Sequence, residues 1–300
     1  RLCAMAPESL PRPSPLPESQ PPVLDPLAEP AARVGWGFIA VLALTNLGIW
    51  TAFFTPIQFL LPLQVEAIDP AAKESNLGIV VAVGALVALV ASPLAGAFSD
   101  RTSARLGRRR TWVLWPTLAA CGVLALMGGL TTIGGLVLGW ALAQLTLNAS
   151  YAAVTAMLPD QVPVAQRGTV GAVVGAAQPL GIILGSLIAT LVPGDNTAPD
   201  GQQLRYLVVL VVVLLTAVLF VAAMKDPRLD PERIPAFHLG SFTRAFWVSP
   251  REHPDFAWVF VTRFLVILGT AFVTTYLLYF TRDVLGNSPD EAGDTVAAIL

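Results

Sequence analysis

Long runs of apolar residues, separated by short polar stretches, dominate the chain from about residue 34 onward. A helix needs about 20 apolar residues to cross the ~30 Å hydrocarbon core of a bilayer. By that measure the sequence predicts seven membrane spans and the start of an eighth near residue 293. The seven spans are 34–61, 77–98, 111–131, 133–157, 168–192, 205–223 and 256–281. The runs are continuous rather than alternating, which excludes membrane β-strands. The predicted fold is an all-α membrane protein.

The polar stretches divide the chain into four predicted regions. Residues 1–32 contain nine prolines and no apolar run, so we expect a disordered, proline-rich cytosolic tail. Residues 33–223 hold the first six spans as one bundle, 224–255 form a cytosolic linker, and 256–300 begin a second bundle. The chain stops within a new apolar run, so we expect the second bundle to be truncated.

The composition agrees with a protein that lies in a lipid bilayer. Hydrophobic residues make up 55% of the chain and charged residues 13%, whereas a soluble domain carries about 25% charged residues. A net charge of −2 argues against a nucleic-acid partner, because phosphate binding needs a basic face. The two cysteines, Cys3 and Cys121, form no disulfide framework. We expect no metal site and no cofactor.

Basic residues are distributed unevenly between the two sides of the membrane that this topology defines. With the N-terminus in the cytosol, 15 of the 18 lysines and arginines fall on the cytosolic side. The three on the opposite side are Lys73, Arg205 and Arg282. Cytosolic loops of membrane proteins carry such an excess of positive charge. We therefore expect a multi-pass protein of the plasma (inner) membrane with a cytosolic N-terminus.

The polar loop between spans 2 and 3 has the most specific pattern in the chain. Gly96 lies one turn before the predicted end of span 2, where a missing side chain permits another helix to approach closely. Asp100 follows at the helix C-terminus, where the macrodipole disfavours a carboxylate, so it needs a nearby arginine or the N-terminus of another helix as a partner. Gly107 then breaks the loop. The basic members of the pattern are Arg101, Arg108, Arg109 and Arg110.

Gly96-x-x-x-Asp100-Arg101, followed after five residues by Gly107 and three arginines, resembles the loop 2–3 signature of the major facilitator superfamily. The five-residue spacing, together with Leu158-Pro159-Asp160 between spans 4 and 5, looks like the glycoside–pentoside–hexuronide and sucrose–proton symporter groups. The resemblance implies two six-helix bundles that expose a central cavity to each side in turn. It also implies that Asp100 contacts a helix of the second bundle, and that the seven residues from Gly96 to Arg110 named above form a latch that closes the cytosolic side.

Uncharged polar and aromatic residues within the spans are candidates for a solute site. Gln144, Asn148, Tyr151 and Thr155 fall within one narrow arc of span 4, so this stripe should face the bundle interior or a wet cavity. Trp50 lies in the middle of span 1, where an indole suits stacking against a sugar ring or another flat solute. The competing interpretation is that such groups only join helices to one another. The candidate substrate-binding residues are Asn46, Trp50, Gln58, Gln144, Asn148, Tyr151 and Gln178.

Span 5 adds two glycine pairs, Gly171 with Gly175 and Gly181 with Gly185, whose spacing permits close helix crossing. Antiporters of the superfamily place glycine directly before proline in this helix, whereas this chain has Gln178-Pro179, which makes drug efflux less favoured. No acidic residue, lysine or histidine lies deep in predicted spans 1 to 6, although ion coupling normally uses a membrane carboxylate. Either the coupling group lies in the second bundle, or transport is uncoupled, or the symporter assignment is wrong.

The favoured function is secondary active transport of a small polar solute, a sugar or glycoside, together with a proton or sodium ion, by a monomer. The alternative is a drug or metabolite exporter of the same superfamily, which the direction of transport would distinguish. A membrane-embedded enzyme is disfavoured, because the histidines, His238 and His253, lie in the linker and no nucleotide-binding loop is present. A non-transporting scaffold with this fold would insert normally and carry no solute.

Overall fold

The computed structural model describes residues 30, 32–228, 249, 251–252, 254–286 and 295–296. Within these ranges seven helices are long and apolar enough to cross a membrane, and no strand occurs. The prediction of an all-α membrane fold is confirmed. The helices are span 1 (Trp36–Ile68), span 2 (Pro70–Ser99), span 3 (Arg108–Met127), span 4 (Ile133–Gln161), span 5 (Val164–Leu191), span 6 (Gln203–Ala223) and span 7 (Pro254–Asp283).

Spans 1 and 2 extend further than the apolar runs predict. Span 1 continues to Ile68 rather than residue 61, because Gln64, although polar, is fully buried and hydrogen-bonded at the far end of the bundle. Span 2 begins with a 3-10 turn at Pro70–Ala72 rather than at residue 77. The side chain of Asp69 caps this turn by accepting a hydrogen bond from the backbone N–H of Ala72 at 3.2 Å. These helices therefore extend through polar residues whose side chains find hydrogen-bond partners at the helix ends.

Span 1 is not a regular helix throughout. An α-helix at Trp36–Thr55 passes into a π-helical turn at Pro56–Leu60 and then into a second α-helix at Leu61–Ile68. Pro56 has no backbone N–H, and in a regular helix its ring would clash with the carbonyl of the residue four positions earlier. The wider turn begins at the proline: the N–H of Leu61 bonds to the carbonyl of Pro56, five residues back.

The first six spans pack as one bundle with an internal repeat. Spans 2 and 3 both pack against span 4, and spans 5 and 6 both pack against span 1. Spans 3 and 6 pack directly against each other, and spans 1 and 4 also touch. Exchanging spans 1, 2 and 3 with spans 4, 5 and 6 preserves the main pairs, as two related three-helix units require. Trp140, Tyr206 and Phe59 are the largest fully buried side chains of the core.

Hydrogen bonds between distant segments show which span ends share a side. The amide of Gln166, at the start of span 5, donates to the carbonyl and accepts from the N–H of Val34, just before span 1, both at 2.9 Å. At the other side, Gln64 donates to the carbonyl of Met127 at 3.0 Å and accepts from the hydroxyl of Tyr206 at 2.8 Å. We call the side that holds the start of span 1 the arginine-rich side, and the other the arginine-poor side.

Span 7 meets the six-span bundle near its arginine-poor end. Its buried residues are Leu277, Leu278, Tyr279 and Thr281, whereas every residue from Trp258 to Val273 is exposed. The predicted tail at 1–32 and linker at 224–255 lie largely outside the described residues, as does the predicted eighth span near residue 293. The part of the linker described next to span 6 runs from residue 224 to 228.

Candidate functional site

A cavity of about 220 Å³ lies between spans 1, 4 and 5. Four of the seven predicted substrate-binding residues line it: Asn46 and Trp50 from span 1, Tyr151 from span 4 and Gln178 from span 5. Thr155, the last member of the span 4 stripe, lines it as well. These residues lie in the middle of their spans or nearer the arginine-rich side. The structure therefore brings residues that are up to 132 positions apart, Asn46 and Gln178, to one place.

The aromatic rings of Trp50 and Tyr151 line this cavity, and the rings of Phe53 and Phe54 contact them. The ring of Trp50 lies 5.1 Å from that of Tyr151 in an edge-on arrangement and 5.4 Å from that of Phe54 in a stacked one. Phe53 meets Tyr151 at 6.4 Å, with the ring planes at 90°. Both arrangements are favourable for aromatic pairs. At Gly181 an added Cβ would lie 2.8 Å from the Cβ of Trp50, so this glycine lets span 5 approach the backbone that carries the indole.

The two predicted glycine pairs of span 5 serve two purposes. An added Cβ at Gly185 would lie 2.6 Å from the hydroxyl oxygen of Thr55, so the predicted close crossing is confirmed for Gly181 and Gly185. At Gly171 and Gly175 an added Cβ would meet no described atom within 4 Å, and both glycines line the cavity. Their missing side chains make room for a solute rather than for a neighbouring helix.

The polar groups of the cavity are amides and hydroxyls. The Nδ2 of Asn46, which is 2% exposed, donates to the carbonyl of Leu42 in its own helix at 2.8 Å. Gln178 is exposed and makes no hydrogen bond to another described residue, so its amide can both donate and accept. Within the described ranges, no group of three His, Cys, Asp or Glu side chains is placed to hold a metal ion. Amides, hydroxyls and aromatic rings are the chemistry this cavity offers.

The other three predicted substrate-binding residues do not line the cavity. The side-chain oxygen of Gln144 accepts a hydrogen bond from Asn148 at 2.8 Å, and the Cγ of Gln144 would lie 3.2 Å from an added Cβ at Gly84 of span 2. The two amides thus bind each other, and Gln144 also packs against span 2. Gln58 is 2% exposed within the π turn, and its Oε1 has no hydrogen-bond partner in the described part of the chain. The span 4 stripe divides into a packing half and a cavity half.

A second set of charged residues surrounds the start of span 3 on the arginine-rich side. Arg109 is 3% exposed, and its guanidinium lies 2.6 Å from Asp100 and 2.7 Å from Asp160. Arg108 reaches the same carboxylate oxygen of Asp160 at 2.9 Å. The hydroxyl of Ser99 accepts a further bond from Arg109 at 2.9 Å. We call Asp100, Arg108, Arg109 and Asp160 the arginine cluster; it joins the ends of spans 2 and 4 to the start of span 3.

Asp226, which follows span 6, also binds the start of span 3. Its Oδ2 accepts hydrogen bonds from the backbone N–H groups of Arg109 at 2.6 Å and Arg110 at 2.9 Å. N–H groups in the first turn of a helix have no partner within the helix, and a carboxylate there also offsets the helix dipole. Burial raises the pKa of Asp226, although the two N–H groups and the guanidinium of Arg108 favour its charged form.

Gly107 makes this close approach possible. Its φ of +103° lies in the left-handed region, and an added Cβ would lie 2.4 Å from a carboxylate oxygen and 2.7 Å from the carbonyl oxygen of Asp226. Asp160 and Asp226 are absent from the predicted latch, because they lie 51 and 117 positions from Arg109. The available signal was the charge of residues 98–112, where five arginines and one aspartate require acidic partners from elsewhere.

The remaining members of the predicted latch take separate positions. At Gly96 an added Cβ would meet no atom within 4 Å, so the predicted helix approach is not found in the part of the chain described. Arg101 donates to the carbonyl of Ala97 at 2.7 Å, at the end of its own helix. The side chain of Arg110 donates to the carbonyl of Val221 in span 6. The contact of Asp100 with a second-bundle helix is not tested by these residues and stays a prediction.

Comparison with known proteins agrees with this architecture. The family model of the Major Facilitator Superfamily matches residues 37–300. The match contains the cavity, the arginine cluster and nearly all of the seven spans. No curated protein matches the chain. The protein therefore belongs to the major facilitator superfamily, whose members are multi-pass membrane transporters.

Proposed function

We propose that the protein is a secondary active transporter that moves a sugar or glycoside together with a proton or sodium ion by alternating access. The observation that supports this proposal is the cavity in which Asn46, Trp50, Tyr151 and Gln178 meet. An aromatic ring packs against the apolar face of a sugar, and amides bind its hydroxyls as donors and acceptors. A strongly charged solute would find no opposite charge among these four side chains.

The size of the cavity supports a small solute. Its volume of about 220 Å³ is below the roughly 300–1,000 Å³ of pockets that enclose drug-sized ligands. In the proposed mechanism this cavity is the first-bundle half of a site shared with the second bundle. It lies toward the arginine-rich side, so a bound solute would leave or enter from there in the conformation described.

We further propose that the arginine-rich side is cytosolic, in the plasma membrane. Arg105 lies on that side in the loop between spans 2 and 3 and is exposed. A cysteine placed at Arg105 should react with a membrane-impermeant maleimide in inside-out vesicles and not in intact cells. Reaction in intact cells would reverse the orientation and with it every statement about which side the solute reaches.

The arginine cluster and the predicted latch residues have a structural place in this mechanism. Arg109 holds Asp100 and Asp160 together, so the ends of spans 2, 3 and 4 move as one unit. Asp100 is the cluster member whose side chain is 54% exposed, which leaves it available to a helix of the second bundle. We propose that this contact forms when the arginine-rich side closes.

Solute transport by proteoliposomes containing the full-length protein tests the proposed function. A counterflow panel should include monosaccharides, glycosides, amino acids and cationic drugs, with and without a proton or sodium gradient. Replacing Trp50 or Gln178 by Ala should lower the flux of the favoured solute at least about tenfold. Trp115→Ala is the matched control, because Trp115 is 64% exposed on the far side of the bundle, away from the cavity.

The outcome distinguishes the two transporter classes. Flux of a sugar that depends on Trp50 and runs toward the cytosol supports the proposal. Extrusion of cationic drugs away from the cytosol would favour the exporter. Loss of sugar flux in Trp115→Ala to the same degree as in Trp50→Ala would show that the cavity is not the solute site.

A further inference from the structure

Another cavity lies between spans 2, 3 and 4, in the half of the bundle nearer the arginine-rich side. Spans 2 and 3 both pack along span 4 and meet each other only briefly, so a groove opens between them with span 4 as its floor. Its volume is about 680 Å³, and we call it the outer groove. The lining residues are mostly apolar and include Ala95, Phe98, Trp112, Ala119 and Ala149.

The outer groove is turned away from the solute cavity and from span 7. On span 4, Ala149 lines the groove and Tyr151 lines the solute cavity. Two residues turn a helix by about 200°, so these side chains lie on opposite faces. On span 2, Gly78 lies against Tyr276 of span 7, and Phe98 lies about 200° around the helix from Gly78. Span 7 therefore approaches the opposite face of span 2, and the groove opens toward the lipid.

The length of the outer groove matches one leaflet of a bilayer. Its lining runs along span 3 from Thr111 to Ala119, which is about 12 Å at 1.5 Å per residue. The hydrocarbon core is ~30 Å thick, so the acyl chains of one leaflet extend over about 15 Å. Small side chains at Ala95, Ala119 and Ala149 leave room between the helices along this path. One acyl chain of a lipid in the leaflet on the arginine-rich side therefore fits the groove.

Two aromatic rings and a hydroxyl form the mouth of the outer groove, where span 2 ends and span 3 begins. The rings of Phe98 and Trp112 are stacked, with their centroids 6.3 Å apart and their planes at 6°. The indole N–H of Trp112 donates to the hydroxyl of Thr102 at 2.8 Å, and all three residues line the groove. Tryptophan is enriched at the depth of the lipid headgroups. The mouth is thus held in a fixed arrangement at the level where a lipid carries its phosphate.

Positive charge lies beside this mouth. Arg101 directly precedes Thr102 in the chain, and Ser103 directly follows it. Arg228, which is exposed, extends from the other end of span 6 and donates from its Nε to the carbonyl of Ser103 at 3.0 Å. A guanidinium carries five N–H donors, so that of Arg228 has further groups for a phosphate. Arginines near a membrane surface attract anionic headgroups, and a zwitterionic lipid gains less from them.

We propose that the outer groove binds one anionic phospholipid, with an acyl chain between spans 2 and 3 and the phosphate at Arg228. The walls provide apolar contact over the length of one leaflet, and the mouth provides charge of the opposite sign. This site is separate from the solute cavity, so it does not depend on which solute is transported. A groove that only touches the surrounding lipid would have no preference for one headgroup over another.

Native mass spectrometry of the full-length protein tests the acyl-chain part of the site. The protein in detergent is mixed with equal amounts of phosphatidylglycerol, phosphatidylethanolamine and phosphatidylcholine that carry the same acyl chains, and we expect it to retain one phosphatidylglycerol. Ala119→Phe places a ring in the groove and should lower this retention at least about tenfold, because several methylenes lose their contacts. Leu118→Phe places the same ring at an exposed position outside the groove and should stay within about twofold. Equal losses in both variants, or equal retention of the three lipids, would overturn the proposal.

The same spectra test the headgroup part of the site. Arg228→Ala should lower the preference for phosphatidylglycerol over phosphatidylcholine about fivefold, the effect expected of one arginine near a membrane surface. Arg33→Ala removes the same charge from an exposed position beside Val34, which bonds to Gln166 of span 5 on the same side of the membrane. It should leave the preference within about twofold. An equal change in both variants would show that net charge alone attracts the lipid, and would overturn the assignment to the groove.

Fluorescence quenching provides a readout that needs no substitution. Phosphatidylglycerol with brominated acyl chains should quench tryptophan emission, because one chain lies beside Trp112 in the outer groove. Unlabelled phosphatidylglycerol should reverse the quenching, and phosphatidylcholine at the same concentration should not. Equal reversal by both lipids would overturn the proposal. Dimers without bound lipid in the native spectra would also overturn it, and would assign the groove to a second copy of the chain.

Discussion

The arginine cluster and a second group of charges on the arginine-poor side use the same chemistry in different places. We call this second group, Glu66, Lys73, Arg282 and Asp283, the four-charge cluster. In the arginine cluster, Arg109 binds Asp100 and Asp160 at the ends of spans 2 and 4, and all of these groups belong to the first bundle. In the four-charge cluster, Lys73 binds Glu66 of span 1 and also Asp283 of span 7. Ion pairs within a bundle hold its helices as a rigid body, whereas pairs between bundles give a contact that motion can break.

The two clusters also differ in how deeply their charged side chains are buried. The side chain of Arg109 is 4% exposed and makes bonds to two carboxylates and a hydroxyl. Asp283 of the four-charge cluster is 48% exposed, so water can replace the lysine when the pair separates. An ion pair with an exposed, easily hydrated partner contributes less to stability than a buried pair whose partners cannot be replaced by water.

The largest effect is expected from removing the central guanidinium of the arginine cluster. Arg109→Met removes charge-assisted hydrogen bonds to Asp100 and Asp160, but Asp100 is half exposed and Asp160 keeps Arg108, so we expect a loss of about 2–3 kcal/mol of stability. Arg282→Met should cost at most about 1 kcal/mol, because Glu66 retains Lys73 and the site is partly hydrated. Denaturation midpoints in detergent measure both, and Arg105→Met is the exposed control within the same loop. Equal losses for Arg109→Met and Arg282→Met would break the comparison.

A smaller loss is expected at the glycine that lets Asp226 reach span 3. Gly107→Ala places a Cβ in the left-handed region and against the backbone oxygen of Asp226, so we expect a loss of about 1–3 kcal/mol. Gly122→Ala, within span 3 and with open space around it, should be neutral or stabilising by up to about 1 kcal/mol. Thermal unfolding followed by tryptophan fluorescence tests the pair. Similar midpoints for both variants would contradict the assigned contact.

The smallest effect is expected at Asp226, where two substitutions distinguish the loss of a hydrogen-bond acceptor from the loss of a negative charge. Asp226→Ala removes the acceptor for two backbone N–H groups and should cost about 1–2 kcal/mol. Asp226→Asn keeps a carbonyl oxygen and should cost less, because burial raises the pKa of Asp226 and so opposes its charge. For a carboxyl with a raised pKa, the contribution to stability grows as the pH falls through that pKa. A loss for Asp226→Asn as large as that for Asp226→Ala would show that the negative charge itself is what span 3 requires.

The sequence predicted the membrane spans well, but it predicted poorly which residues of different spans contact one another. Apolar runs are local, and a run long enough to cross a bilayer has few alternatives, so seven helices follow from the chain alone. Ion pairs such as Arg109 with Asp160 depend on which helix ends meet in space. A loop rich in arginine shows that acids are needed, but not which acids supply them.

The span 4 stripe illustrates the same limit within one helix. Gln144 and Tyr151 lie on one arc, yet Gln144 packs at span 2 and Tyr151 lines the cavity. Helices cross at an angle, so a single face meets different neighbours at different depths. Periodicity identifies the face of a helix that is turned inward, but the identity of the neighbour at each level comes from the packing of the whole bundle.

The π turn divides span 1 into two segments that serve different purposes. Trp50, before the turn, lines the cavity, and Glu66, after it, belongs to the four-charge cluster. Each residue of a helix turns the chain by about 100°, so one additional residue rotates all that follows by about that angle. Deleting one residue between Pro56 and Leu60 would therefore swing Glu66 away from Lys73 while Trp50 stayed in place. The π turn thus sets the angle between the solute-facing part of span 1 and the part that meets span 7.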